Sequence, residues 1–211
     1  MNSMRVGITG GIGSGKSYVC RLLAERGIEV YDCDRAAKRL MRSSESLRQQ
    51  LIQLIGPEAY LEESGARALQ GDARTRNEER GARKEEREYR LNKAAVSRFL
   101  LASEDNARAI DAIVHPAVFR DFEQSGLQWV ESAILYESGL DRLVDRVVVV
   151  TAPLEVRIRR IMDRDHLTRE KSMEWIGRQW PQEEVCRRAD FEIVNDGRPL
   201  FPQIDQLLNQ L

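Results

Sequence analysis

Eight residues near the N-terminus, Gly10-Gly11-Ile12-Gly13-Ser14-Gly15-Lys16-Ser17, carry the most specific chemistry in the sequence. They fit the pattern G-x-x-x-x-G-K-[ST], with Gly10, Gly15, Lys16 and Ser17 at the fixed places. Closely spaced glycines let successive backbone N–H groups turn inward around an anion, because no Cβ obstructs the turn. Lys16 then sets an ammonium beside the outer phosphates of a nucleotide, and the Ser17 hydroxyl is placed for Mg²⁺. A helix that begins here adds its positive N-terminal dipole to the same spot. Polyphosphate binding is the first chemistry this stretch implies.

Carboxylates that could work with such a loop stand at two other places. Asp32 and Asp34 sit at the end of an expected strand over 28–32, and Glu131 lies near the end of another over 128–132. In open α/β sheets, chemistry collects at the carboxyl ends of the strands. Asp32 and Asp34 are therefore candidates for a general base or for contact with a metal's water shell. Asp34 is equally a candidate helix N-cap, since residues 35–41 follow at helical spacing, and the two roles are compatible. Glu131 stands where a phosphate-loop protein needs its second acidic residue for Mg²⁺, or is a surface charge at a strand end.

Two further groups complete the inventory. Arg157, Arg160 and Arg164, three and four residues apart, fall on one helical face, with Val156 and Ile161 on another. Such a face either neutralises a moving phosphoryl group or is an ordinary solvated one. His115 is one of two histidines and precedes Pro116, which disfavours α geometry there. Taken alone it reads as structural or as catalytic, and a base or metal site would need partners.

The elements that must position these groups follow from periodicity. Residues 5–9 form a short buried strand leading into the loop, and 18–26 form a helix with Val19, Leu22 and Leu23 apolar and Gly27 as its stop. Helical spacing recurs over 46–55, 91–101 and from a cap at Ser103 to Val114. There the His115-Pro116 pair is expected to interrupt it before a short helix carrying Val118, Phe119 and Phe122. Residues 146–151 are β-branched, as in a central parallel strand buried on both faces. Helices over 153–165, 168–179 and 181–189 read as a mobile lid. A last strand at 191–194 and a closing helix with Ile204, Leu207, Leu208 and Leu211 on one stripe finish the chain. Five strands alternating with helices give an α/β fold, a doubly wound parallel five-stranded sheet. Residues 62–90 are different: Glu and Arg crowd together with almost no apolar residue, which predicts a solvated, salt-bridged helix or a mobile insertion.

Bulk properties exclude several classes. A net charge of −1 over 211 residues supplies no global positive field for nucleic acid. Three widely spaced cysteines, Cys20, Cys33 and Cys186, point to free thiols in a reducing, cytoplasmic compartment. No apolar run approaches the roughly 18 residues of a membrane span, and the first apolar run leads into the phosphate loop where a signal peptide would have its core.

Assembled in order, these stretches resemble the dephospho-CoA kinases, a family of P-loop kinases. The likeness rests on residues 7–17, Asp32-Cys33-Asp34 as a D-x-D, His115-Pro116 and Leu135-Tyr136-Glu137-Ser138-Gly139-Leu140. It extends through the arginine helix to Arg164-Asp165, Gln179, Ala189-Asp190 and Asn195-Asp196-Gly197. The resemblance implies a P-loop NTPase-type sheet with a helical substrate-binding insertion and a lid. Its nucleotide core would comprise 1–34, 124–152 and 190–211, its CoA-binding region 35–123 with 62–90 as a charged insertion, and its lid 153–189. It also implies ATP, Mg²⁺ and dephospho-CoA as ligands, no nucleic-acid or membrane partner, and a monomer or small homo-oligomer. ATP would meet Gly11, Ile12, Gly13, Ser14, Gly15, Lys16, Ser17 and Tyr18. Asp34 would be the base, with Lys16, Arg160 and Arg164 catalytic, Asp34 and His115 on the substrate, and Ser17 on Mg²⁺ with Asp32 or Glu131 through water. The sequence departs from the family pattern at Glu131 and Ala133, where the family usually has Asp and Pro, at Arg157, where glutamine is common, and in the longer charged region. A nucleoside or nucleoside-monophosphate kinase and a non-catalytic nucleotide-binding module are the rival readings.

Overall fold

In a computed structural model, which describes residues 4–63 and 88–211, the β-branched runs and amphipathic stretches alternate as strands and helices. The order is β1 (Val6–Thr9), α1 (Lys16–Ala24), β2 (Val30–Asp32), α2 (Cys33–Ser43), α3 (Glu45–Ile55), β3 (Tyr60–Glu63), β4 (Glu88–Leu91), α4 (Lys93–Ala102) and α5 (Glu104–Ser125). There follow β5 (Trp129–Glu131), β6 (Arg146–Thr151), α6 (Leu154–Asp165), α7 (Arg169–Gly177), α8 (Gln182–Arg188), β7 (Phe191–Val194) and α9 (Leu200–Leu208). Five strands form one sheet in the order β2-β5-β1-β6-β7, every pair parallel. Two compact units divide the chain: Met1–Ala37 with His115–Leu211, which holds this sheet, and Lys38–Val114.

One sheet face explains the apolar pattern of the first unit. Val6, Ile8, Val148, Val150 and Ile193 meet Val19, Leu22 and Leu23 of α1 and Leu200, Ile204 and Leu207 of α9 in a single buried cluster. At about 1.5–3 kcal/mol for each fully buried aliphatic side chain, this cluster is what anchors α1, and hence Lys16, to the sheet. On Gly7 of β1 an added Cβ would collide with the fully buried Leu135, so the segment after β5 packs directly on bare backbone.

Two expectations are corrected. The chain does not break at His115-Pro116: α5 runs unbroken with Pro116 inside it. Ser103 does cap it, its hydroxyl accepting from the Asn106 N–H at 3.1 Å. Proline in a helix interior costs about 3 kcal/mol, but Ile110, Val114, Val118 and Phe122 form one buried stripe along α5, whose burial outweighs that loss. The helix after β2 begins at Cys33, two residues earlier than the spacing indicated, and yields to α3 at Ser44, whose hydroxyl caps the Leu47 N–H.

The charged region, 62–90, was expected as a solvated helix or a mobile insertion. Its middle, 64–87, lies outside the described residues, but its ends pair as an antiparallel hairpin, Tyr60 opposite Leu91 and Glu62 opposite Tyr89. Tyr60 is buried, with its hydroxyl donating to the Met41 carbonyl at 2.6 Å, while the neighbouring Leu61 and Glu62 are exposed. The Arg48 guanidinium lies 4.1 Å from the Tyr89 ring centroid and supports the other strand. Among the described residues no helix is long and apolar enough to cross a membrane.

Candidate active site

The phosphate loop, residues 10–15, joins the carboxyl end of β1 to α1. Gly10 (φ 143°) and Gly15 (φ 97°) hold backbone angles that L side chains rarely adopt, and a Cβ would strike the Val150 carbonyl at the first and the Asn195 amide at the second. The loop closes on itself through Ser14 N–H to the Gly11 carbonyl, and α1 is begun by Tyr18 and Val19 N–H groups on the Gly15 carbonyl. Among the described residues the amides of Gly13, Gly15, Lys16 and Ser17 make no hydrogen bond. Four such donors at the start of a helix, three of them consecutive at Gly15, Lys16 and Ser17, constitute an anion-binding nest. Ser14 is fully buried, and its hydroxyl also makes no bond.

Lys16 is the first residue of α1 and is buried, its Nζ donating to the Gly10 carbonyl at 2.7 Å and lying 3.7 Å from Glu131 Oε1. Glu131 ends β5 beside Ile8 of β1 on one side and Asp32 of β2 on the other. Burial pushes the Lys16 ammonium below the usual lysine value; Glu131 and Asp34 draw it back, and Arg157 pushes it further down. Burial pushes the Glu131 carboxyl up; Lys16 opposes the shift and Asp32 and Asp34 add to it. Asp32, Asp34, Glu131 and Lys16 thus occupy one strand-end edge and feel one another's charge.

The structure shows which of the two aspartates caps the helix. Asp32 Oδ1 accepts from the Arg35 N–H at 2.9 Å, which makes Asp32 the N-cap of α2. Asp34 lies inside the first turn and is exposed. Capping falls to Asp32 because the helix starts at Cys33.

Arg157 and Arg160 of α6 do not lie on a solvated face, whereas Arg164 does. Arg157 is 6% exposed and shares the buried stripe of Ile158 and Ile161, with its Nε donating to the Ile12 carbonyl at 2.9 Å. Arg160 donates through Nη1 to the carbonyls of Gly13 and Ser14 at 3.2 and 3.1 Å, and through Nη2 to Asn195. Arg164, one turn further, is exposed and paired with Asp165 at 2.7 Å. His115 is half-buried on α5, its ring stacked on Phe119 at 6.1 Å. Ser17 and Tyr18 are exposed, the Tyr18 ring lying under the Arg21 guanidinium.

Three further side chains brace the loop, and of these Gln179 and Asn195 were not expected as site residues. Gln179 Oε1 accepts from the Ile12 N–H at 2.7 Å, Asn195 Nδ2 donates to the Ser14 carbonyl at 2.9 Å, and Arg157 holds the Ile12 carbonyl. Gln179 and Asn195 had a signal, since both belong to the stretches that carry the family likeness; nothing local to either residue indicated that it bonds the loop. Ile12, expected on ATP, spends its N–H and its carbonyl on these braces.

Cys20 lies on α1, where burial, with a smaller contribution from Glu131, pushes its thiol up to about 12. Burial pushes Cys33 upward too. The folded protein therefore binds more protons than the unfolded one from the ordinary value of 9.0 to about 12, and Cys20 removes stability as pH rises through that window. At pH 8 Cys20 should be alkylated about 10³-fold more slowly in the native protein than in urea, read by peptide mass spectrometry. Equal rates would show that the thiol is not shielded.

The sequence matches the family model described as dephospho-CoA kinase over residues 4–81 and 81–200. A dephospho-CoA kinase of Bacteroides fragilis (strain YCH46) is 37% identical, with 98% of this chain and 92% of that protein covered. One of Chlorobaculum tepidum is 31% identical over 98% of this chain and 94% of that protein. Among solved structures, TT1252 from Thermus thermophilus superposes with a TM-score of 0.75 at 30% identity, covering 100% of this chain and 99% of its own. With the phosphate loop, the strand-end carboxylates and the parallel sheet already in place, these matches show that the chain belongs to the dephospho-CoA kinase family.

Proposed function

We propose that the chain performs its family's reaction with the residues gathered at this strand-end edge. The reaction transfers the γ-phosphoryl of ATP to the ribose 3′-hydroxyl of dephospho-CoA, giving coenzyme A and ADP, the last step of coenzyme A synthesis. The observation that carries the assignment is the juxtaposition of a loop with four unpaired amides and a cluster of Lys16, Glu131 and Asp34 that interact electrostatically.

In this reading the loop amides and Lys16 hold the polyphosphate, and Asp34 orients or deprotonates the acceptor hydroxyl. Arg160 and Arg164 neutralise charge on the phosphoryl group in flight. His115 contacts the acceptor, region 35–123 supplies the acceptor's remaining binding surface, and 153–189 acts as the lid. Mg²⁺ fits the donor set, which is all oxygen: the Ser17 hydroxyl at the start of α1 and the carboxylates of Asp32 and Glu131 at neighbouring strand ends. A single hydroxyl, Ser17, with Asp32 or Glu131 reaching through water, is the kind of site that Mg²⁺ shares with phosphates while keeping part of its water shell. When bound, the ion neutralises phosphate charge. Three free cysteines among the described residues suit a reducing, cytoplasmic setting.

A coupled ADP-release assay offering dephospho-CoA, AMP, CMP and adenosine tests the assignment. Turnover is expected with dephospho-CoA and not with the others. Preference for AMP, CMP or adenosine would make the chain a nucleotide or nucleoside kinase, and ADP release with none of them would remove the phosphotransferase reading.

A further inference from the structure

Arg157 is buried, yet among the described residues it pairs with no carboxylate. An unpaired buried cation costs stability, and an aliphatic side chain beside Ile158 and Ile161 would fill the same stripe without that cost. The charge is therefore to be explained by what it faces. Arg157 Nε donates to the Ile12 carbonyl at 2.9 Å, and its terminal guanidinium lies where a Cβ on Gly11 would collide with it. Its own backbone is packed as tightly on Gly13. With Gln179 on the Ile12 N–H, both peptide groups flanking Ile12 are clamped. The charge also reaches Lys16, which it disfavours as an ammonium.

We propose that Arg157 is a positioning residue for the nucleotide: it clamps the phosphate loop through Ile12 and adds a fixed positive charge beside it. Affinity then rises with the number of phosphates on the ligand. The inference rests on the reading of the loop as a nucleotide site. A neutral hydrogen-bonding side chain would hold the loop without grading ligands by charge, and a flexible lysine would keep the charge with a poorer clamp.

Titration of the full chain with ATP, ADP and AMP at two ionic strengths separates these contributions in Arg157→Gln and Arg157→Lys. In Arg157→Gln the Kd for ATP should rise about tenfold, that for ADP less and that for AMP within about twofold. The salt dependence of ATP binding should flatten as well. Arg157→Lys should retain the ATP-over-AMP preference and the steeper salt dependence. Equal loss for all three nucleotides, or an unchanged Kd for ATP, would overturn the charge role. Should Arg157→Gln fail to fold, Arg157→Lys decides: loss of the ATP-over-AMP preference there overturns the proposal, and retention upholds it. Failure of the unaltered chain to bind ATP would defeat the nucleotide site itself, whereas tight binding there with an unaffected Arg157→Gln defeats only the role of Arg157.

Discussion

Asp34→Asn is expected to lower turnover by about 10³-fold or more while the Kd for ATP stays within about twofold. The substitution keeps the side chain's size and removes its capacity to accept a proton. Folding should survive it, because Asp32 and not Asp34 caps α2. What Asp34 gives the helix is a favourable charge at its N-terminus, worth about 0.3–1 kcal/mol. ATP binding should survive too, since the carboxylate adds negative charge near Lys16 and contributes no donor to the phosphates. Steady-state kinetics in the two substrates and a direct ATP titration measure both quantities. A turnover within tenfold of the unaltered chain would exclude Asp34 as the base and return attention to Asp32 and Glu131 on the same edge.

The second large effect is expected at Arg164. Truncation to alanine should cost about 10³-fold in kcat, the lower end for an arginine that meets a transferring phosphoryl group. The guanidinium is now paired with Asp165, but its side chain is 63% exposed. An exposed ion pair contributes little to stability, so giving it up to reach a bound phosphoryl group is a small barrier beside the effect expected on turnover. The comparison with Arg160 is informative because the two arginines, one turn apart, are differently engaged. Arg160 already bonds Gly13, Ser14 and Asn195, so its loss should weaken ATP binding as well as turnover, whereas Arg164→Ala should leave the Kd for ATP nearly unchanged. A kcat for Arg164→Ala within tenfold of normal would reduce Arg164 to a surface partner of Asp165.

Much of the architecture was legible because its causes are local. A glycine-rich turn between a buried strand and a helix requires only neighbouring residues to form, and β1, the loop and α1 follow in that order. The β-branched run at Arg146–Thr151 signals a strand buried on both faces, and it lies between β1 and β7. The hairpin β3–β4 was missed because each strand has only four residues and its partner lies across the charged stretch. The unbroken α5 was missed because Pro116 is a local signal, while the burial that overrides it depends on what the helix packs against.

The site divides along the same line. The sequence by itself determined that a phosphate-binding loop, a D-x-D at a strand end and a set of arginines on one helical face are present, since each is a matter of residue type and short spacing. Only the tertiary structure decided which aspartate caps, which arginine is buried, and what braces the loop. Gln179 reaches Ile12 across 167 residues and Asn195 reaches Ser14 across 181. Helical spacing can put Arg157, Arg160 and Arg164 on one face, but it carries no information about what covers that face. Here the loop covers it at Arg157 and Arg160 and stops short of Arg164, which turns a single stripe of like charges into two loop braces and one exposed arginine paired with Asp165.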